Sequence, residues 1–214
     1  MRRIGTILAA VLVVAAASCN TAGAQVSSDL GSWVHIHAVK SFGKPYVMAR
    51  LEHRSYDSLR KTECWFTMAG AGYRFSDWLS GDLSYEFWKL PVAGNATTHK
   101  AVACLTGSLN RSGLSVSLRE KYEMSFEEGG TIGGTLRSRL RAQYRGKSAF
   151  APYLMYEYFL GSDGKWVRSL HYAGADIRLT DMHNLEVYYM YHLYPRSTGV
   201  LACHILGLGY MLKF

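Results

Sequence analysis

Two histidines separated by one residue, His35 and His37, have the spacing that most directly suggests chemistry. In a strand, side chains at positions i and i+2 point to the same face, so the two imidazoles would be neighbours. A turn at 43–44 would place Glu52 opposite His35, and the same register would place Arg50 opposite His37. Two imidazoles and a carboxylate could supply three ligands to a metal ion, or they could form a hydrogen-bonded polar cluster. We predict no metal and no other cofactor, because no fourth ligand is evident.

A second group of candidate residues is basic, and its members alternate with apolar residues along two neighbouring segments. Such a row cannot face a dry core, so it should line a polar lumen. The predicted basic wall consists of Arg119, Lys121, Arg137, Arg139 and Arg141. Rings of Arg and Lys select anions in pores, so this wall could attract anions. Alternatively, acidic side chains pair with these basic residues and fill the lumen as a salt-bridged plug. We favour the plug, because a barrel of ten to twelve strands, the fold predicted below, is narrow. The acidic partners are Asp82, Glu86, Glu157 and Glu186.

Catalytic motifs are sparse. The sequence contains no G-x-S-x-G, Walker or H-E-x-x-H motif. An enzyme acting on lipid at the rim of a barrel would have to use His171 or His204 with Ser169 or Ser197, and no defined register pairs them. We therefore predict that the chain is not an enzyme and keep a lipid-modifying enzyme as an alternative. Nucleic-acid binding is not expected, because the basic residues form no surface stripe with stacking aromatic side chains.

The N-terminus has the features of a cleaved secretory signal. Residues 1–24 combine Arg2 and Arg3, a short apolar run and an Ala22-Gly23-Ala24 cleavage site. Cleavage there would lower the formal net charge of the 214-residue chain from +8 to +6. The alternative is a lipoprotein signal in which Cys19 carries the lipid. We predict a signal peptide over 1–24 and a single domain over 25–214.

Three cysteines follow the predicted signal, and they are too widely spaced for a disulfide framework or a zinc site. At most one disulfide can form among them. Cys64 with Cys203 is the pair worth testing.

The rest of the chain alternates between polar and apolar residues with period 2, which indicates β-strands. Predicted strands cover 33–42, 46–55, 64–75, 79–89, 99–110, 113–124, 134–145, 150–159, 166–179, 183–194 and 201–214. These strands are longer than the five to six residues typical of globular proteins. Short connections alternate with longer ones, predicted as external loops at 56–63, 90–98, 125–133 and 195–200. This pattern is typical of transmembrane β-barrels.

The predicted fold is therefore all-β, a closed antiparallel up-and-down transmembrane barrel. Bacterial single-chain barrels have even strand numbers, so we expect ten to twelve strands, with twelve favoured if 25–32 adds a short strand. The last residues support a membrane barrel, because alternate apolar or aromatic residues ending in Phe resemble the signal read by the barrel-assembly machinery of Gram-negative bacteria. The residues of this signal are Leu206, Leu208, Tyr210, Leu212 and Phe214.

The sequence also resembles a family of bacterial outer-membrane barrels known as domain of unknown function 2490. The likeness covers most of residues 30–214, with its motifs in matching order. The motifs are Gly31-Ser32-Trp33, Gly72-Tyr73-Arg74-Phe75, Ala151-Pro152-Tyr153-Leu154-Met155-Tyr156-Glu157, His183-Asn184-Leu185-Glu186-Val187-Tyr188-Tyr189, and His204-Ile205-Leu206-Gly207-Leu208-Gly209-Tyr210 before a Lys-Phe ending. The resemblance implies an outer-membrane barrel and supplies no catalytic residues. His35 and His37 depart from the small, apolar or acidic residues expected there.

Together these features predict an outer-membrane barrel, structural or for small solutes, with a polar and basic-leaning lumen. The alternatives are a narrow anion-preferring pore, a lipid-modifying enzyme at the rim, and a soluble lipocalin-like carrier, whose apolar face would point inward. The expected partners are outer-membrane lipid and the barrel-assembly machinery, and the oligomeric state stays open. The expected location is the outer membrane of a Gram-negative bacterium.

Overall fold

The computed structural model describes residues 28–127, 130–196 and 199–214, and the predicted signal peptide lies outside them. Eleven strands account for nearly all of the described chain. They are β1 (Ser28–Ser41), β2 (Pro45–Tyr56), β3 (Lys61–Arg74), β4 (Leu79–Leu90), β5 (Ala96–Arg111), β6 (Leu114–Glu127), β7 (Gly130–Tyr144), β8 (Phe150–Gly161), β9 (Trp166–Arg178), β10 (His183–Arg196) and β11 (Gly199–Lys213). A 3₁₀ turn covers Pro91–Ala93. Within the described residues, no helix combines the length and the hydropathy needed to cross a membrane.

The strands form one closed barrel in which each strand pairs with its sequence neighbours. These pairs are antiparallel, which confirms the predicted up-and-down barrel. The ring closes through β1 and β11, and this pair is parallel, with Ser28 beside Ala202 and Val39 beside Lys213. An odd number of alternating strands leaves the first and last pointing the same way. The favoured count of twelve is therefore wrong for the described residues, because residues 28–32 belong to β1 and form no extra strand.

The two ends of the barrel are named here by their connections. The lower end carries Phe214 and the turn between β1 and β2, and the upper end carries the turns at 57–60 and 91–95. The upper connections lie where the sequence predicted loops, but the strands continue into the predicted ranges, so the described connections are shorter than expected. For example, β6 extends to Glu127 and β7 begins at Gly130, since glycine and β-branched residues there tolerate extended backbone.

Alternation places apolar side chains on the outside of the barrel and polar ones inside. The outward apolar residues are widely exposed at the barrel surface, for example Ile36 at 54%, Leu83 at 69% and Leu118 at 51% of their full accessible area. A soluble carrier would bury this face, so the lipocalin-like alternative is wrong. The C-terminal signal residues share the outward face of β11, with Leu206, Leu208 and Phe214 well exposed.

A carboxylate and a hydroxyl pair on the apolar exterior. Glu120 on β6 accepts a hydrogen bond of 2.6 Å from the hydroxyl of Ser138 on β7. The two residues are directly opposite each other in the sheet. Because a carboxyl group on an apolar surface is costly without a donor, Ser138 compensates for this departure from the pattern.

Inside the barrel, the wall formed by β8 to β11 and β1 is filled by large side chains. The buried cluster comprises Trp33, Tyr153, Met155, Phe159, Leu170, Tyr172, Tyr188, Met190 and Ile205. Glycines make room for these rings, since a Cβ at Gly207 would lie 1.9 Å from the Tyr188 ring. A Cβ at Gly209 would likewise lie 2.3 Å from the His35 ring. Aromatic rings resting on glycines of the next strand are a recognised way to fix register in barrels.

Candidate functional site

The described residues line two cavities of the lumen, which we call the lower chamber and the upper chamber. The lower chamber has a volume of about 370 Å³ and extends to Lys213 near the lower end. The upper chamber has a volume of about 450 Å³ and includes Asp163 from the upper turn between β8 and β9. Arg54 and Trp88 belong to the walls of both chambers.

All five residues of the predicted basic wall line the lower chamber. Arg139 of this wall lies directly opposite Glu157. Glu186 lies opposite Asp176, and Arg178 lies opposite Asn184.

The predicted acidic partners all lie in the lumen and form ion pairs with the basic wall. Glu86 accepts Lys121 at 2.7 Å, and Asp82 accepts Arg119 at 3.3 Å. Glu157 binds Arg137 in a close two-contact pair that includes Nε at 2.7 Å.

Glu186 is held on two sides of the lumen. Its carboxylate lies 3.5 Å from Arg141 and accepts a hydrogen bond of 2.7 Å from the hydroxyl of Tyr153. Asp176 on the neighbouring strand binds the same Arg141 at 2.8 Å. This geometry matches the predicted salt-bridged lumen more closely than an unpaired basic wall.

A buried carboxylate, Glu123, joins the two chambers. It accepts Lys121 from the lower chamber and Lys100 from the upper chamber, each at 3.0 Å. Arg137 lies 3.7 Å away on the third side. We use the name septum for Arg54, Trp88, Lys100, Lys121 and Glu123.

Arg54 is the most enclosed cation of the septum. Its guanidinium stacks on Trp33 at 3.7 Å and on Trp88 at 4.8 Å, measured to the ring centroids. Glu52, only 1% exposed, accepts Arg54 at 2.6 Å and also binds Arg50. A cation held between two indoles and a carboxylate has few ways to move aside.

The proposed cluster of His35, His37 and Glu52 does not form a metal site. The register predicted for these residues is confirmed, with His35 opposite Glu52. However, Glu52 is occupied by two guanidinium groups, and the Nε2 atom of His35 lies 3.5 Å from Glu186. Throughout the described ranges, no group of three or more potential ligands is arranged to hold a metal ion.

The candidates for a rim enzyme do not converge. His171 and His204 both face outward, where His171 packs against Tyr156 and Tyr191. His204 bonds the Tyr189 hydroxyl. Ser197 lies outside the described residues. In the part of the chain described here no hydrogen bond joins Ser169 to a histidine, so this serine lacks the base that activates a nucleophile.

The proposed disulfide is also not formed. Cys64 carries a free thiol and is 1% exposed, and Cys203 lies 3.8 Å from the hydroxyl of Tyr194. The Cys104 thiol lies 2.6 Å from Nε of Arg119 inside the lumen.

Two lumen residues of the septum were not identified from the sequence. Arg54 was not named, although period 2 places it on the lumen face. Trp88 also faces the lumen, where it stacks on Phe66. The parity of β4 gives this orientation, since Asp82, Glu86 and Trp88 are separated by even numbers of residues.

Comparisons with known proteins support the fold. No curated protein matches the chain. Among solved structures, the NanC porin in a rhombohedral crystal form matches with a TM-score of 0.51 and 12% sequence identity. The match covers 81% of this chain and 90% of that chain. At this identity the likeness shows the fold alone. The family model described as "Protein of unknown function (DUF2490)" matches residues 30–201, and the chain therefore belongs to this family.

Proposed function

We propose that this protein is an outer-membrane barrel that holds small solutes in its lumen and does not conduct ions freely. The observation that carries the proposal is the septum, because Arg54 and Trp88 form part of both chambers and Glu123 links them by ion pairs. A continuous pore would need this contact network to open.

The apolar exterior and the porin-like fold support insertion into a membrane. In this proposal residues 1–24 direct export, and the outward face of β11 is read by the barrel-assembly machinery. Outer-membrane lipid then contacts the exposed leucines and tyrosines, and the upper end faces the cell exterior.

The experiment is a planar-bilayer recording on the mature chain refolded in detergent. Wild type and Arg54→Ala are compared, with Arg60→Ala as a matched control because Arg60 lies exposed on the upper turn at 57–60. Wild type and the control should insert without stable unitary currents, and Arg54→Ala should show steps. Stable currents from wild type would contradict the closed lumen. Silence from Arg54→Ala would contradict the assignment of the closure to Arg54.

A narrow anion-preferring pore is the second candidate function, and the charge of the lower chamber favours it. Eight basic and five acidic residues line this chamber in the described part of the chain. If wild type conducts, a salt gradient across the bilayer should give an anion-selective reversal potential, because the cationic excess attracts anions.

A further inference from the structure

Three arginines of the lower chamber are more exposed than the carboxylates that pair with them. The side chains of Arg50, Arg119 and Arg139 are 28%, 28% and 27% exposed. By contrast, their carboxylate partners Glu52, Asp82 and Glu157 are 1%, 6% and 1% exposed. A solute beside these three arginines therefore meets guanidinium groups, while the paired carboxylates lie behind them in the wall. Asp176 and Glu186, which line another part of the chamber, are 34% and 21% exposed and pair with Arg141.

Arg139 is the least neutralised of these cations. Its ion pair with Glu157 spans 3.8 Å, and the same carboxylate binds Arg137 more closely. One carboxylate thus serves two guanidinium groups, and Arg139 retains donors that point to no protein acceptor at hydrogen-bonding distance.

His37 lies where the cations of two opposite walls converge. The charged groups that act on it most strongly are Arg50, Arg119, Arg139 and Lys213. Its Nε2 atom is buried and has no hydrogen-bond partner in the described structure. Since Arg50 comes from β2, and Arg119 and Arg139 come from β6 and β7, a single solute could contact both sides of the lumen.

Other buried polar atoms around the same chamber also have no partner. They are Nε1 of Trp33, Nδ1 of His35, and Nε of Arg50 and Arg141. Buried polar groups are normally satisfied by protein, water or ligand. All but the imidazole nitrogens are obligatory donors, so an oxygen-rich acceptor suits them.

We propose that the lower chamber contains an anion-binding site formed by Arg50, Arg119, Arg139 and His37. Its ligand is a small hydroxylated solute carrying one oxyanion group, and the cavity of about 370 Å³ suits a single small molecule. The oxyanion lies against the guanidinium groups, and uncharged hydroxyls meet the remaining donors. This inference rests on the proposed solute-holding function and names its substrate class.

The test uses calorimetric titration of the refolded mature chain with glucose 6-phosphate, inorganic phosphate and glucose. Inorganic phosphate carries the oxyanion alone, glucose carries the hydroxyl groups alone, and glucose 6-phosphate carries both. Glucose 6-phosphate and phosphate should bind, and glucose should not. Arg139→Gln should weaken glucose 6-phosphate binding by about tenfold to a hundredfold, as expected for loss of a charged donor. Arg139→Lys should recover part of the affinity, and Arg60→Gln on the upper turn should bind like wild type.

Equal binding of glucose and glucose 6-phosphate, or unchanged binding by Arg139→Gln, would overturn the site. If Arg139→Gln does not fold, Arg50→Gln provides the same comparison, because Glu52 keeps Arg54 as a partner. The two proposals fail separately. A silent barrel that binds no phosphate would overturn this site alone, and a conducting barrel that binds phosphate would overturn only the closed lumen.

Discussion

Glu157 offers a direct test of whether the ion pairs of the lumen hold the barrel together. Its carboxylate is 1% exposed and binds Arg137 through two nitrogens, with Arg139 at 3.8 Å. Glu157→Gln keeps the size and shape of the side chain but removes its charge. Two guanidinium groups then lose their shared counter-charge in a confined space.

The size of the effect follows from this geometry. Removing one partner of a buried ion pair typically costs 3–5 kcal/mol. Arg137 keeps Glu123 at 3.7 Å, so we expect the lower end, about 3 kcal/mol. That loss lowers the folding equilibrium constant on the order of 100-fold.

The measurement is guanidinium unfolding of the refolded barrel in detergent, followed by tryptophan fluorescence. Asp163→Asn is the matched control, because Asp163 pairs with Lys165 at 3.0 Å but both side chains are largely exposed. Exposed pairs contribute little, so this variant should unfold like wild type. An unfolding curve of Glu157→Gln that superimposes on that of the control would refute a stabilising role for the lumen ion pairs.

Three further predictions concern packing, the polar exterior pair and the thiols. Gly207→Ala should destabilise the barrel by about 1–3 kcal/mol through overpacking. Gly107→Ala should not, because a Cβ there would lie 4.0 Å from its nearest neighbour, the carbonyl oxygen of Trp78. Unfolding curves of the two variants check both expectations. Ser138→Ala should lower the free energy of unfolding by about 1–3 kcal/mol, because Glu120 loses its hydrogen-bond donor. Adding Glu120→Leu to this variant should restore the stability. A double variant as unstable as Ser138→Ala would contradict this explanation. Cys64 should resist maleimide in the folded barrel and react after unfolding, as mass spectrometry can show.

Local alternation was sufficient to predict much of this fold. Period 2 placed Arg137, Arg139 and Arg141 in the lumen, and a tight turn fixed His35 opposite Glu52. Both inferences depend only on residues close together in sequence or on one hairpin.

The rest of the site depends on contacts across the barrel, which alternation does not specify. Nothing in the pattern of β2 indicates that Arg54 lies between Trp33 and Trp88. The convergence of Arg50 with Arg119 and Arg139 likewise depends on strand number and tilt, which set the width of the lumen. Eleven strands fall within the predicted ten to twelve, but the favoured count of twelve was wrong for the described residues because evenness was assumed, whereas parallel closure permits eleven strands.

The parallel pairing of β1 and β11 separates the two ends of the described barrel. Ser28 begins β1 at the upper end, and Phe214 follows β11 at the lower end. In an even-stranded barrel the ends are neighbours, so a short peptide could join them and new ends could be opened in any hairpin. Here such a peptide would have to run the full height of the barrel, outside it along the apolar surface or inside it through the septum. This barrel therefore cannot be circularly permuted with a short linker, and its chain order is fixed by the geometry of its own seam.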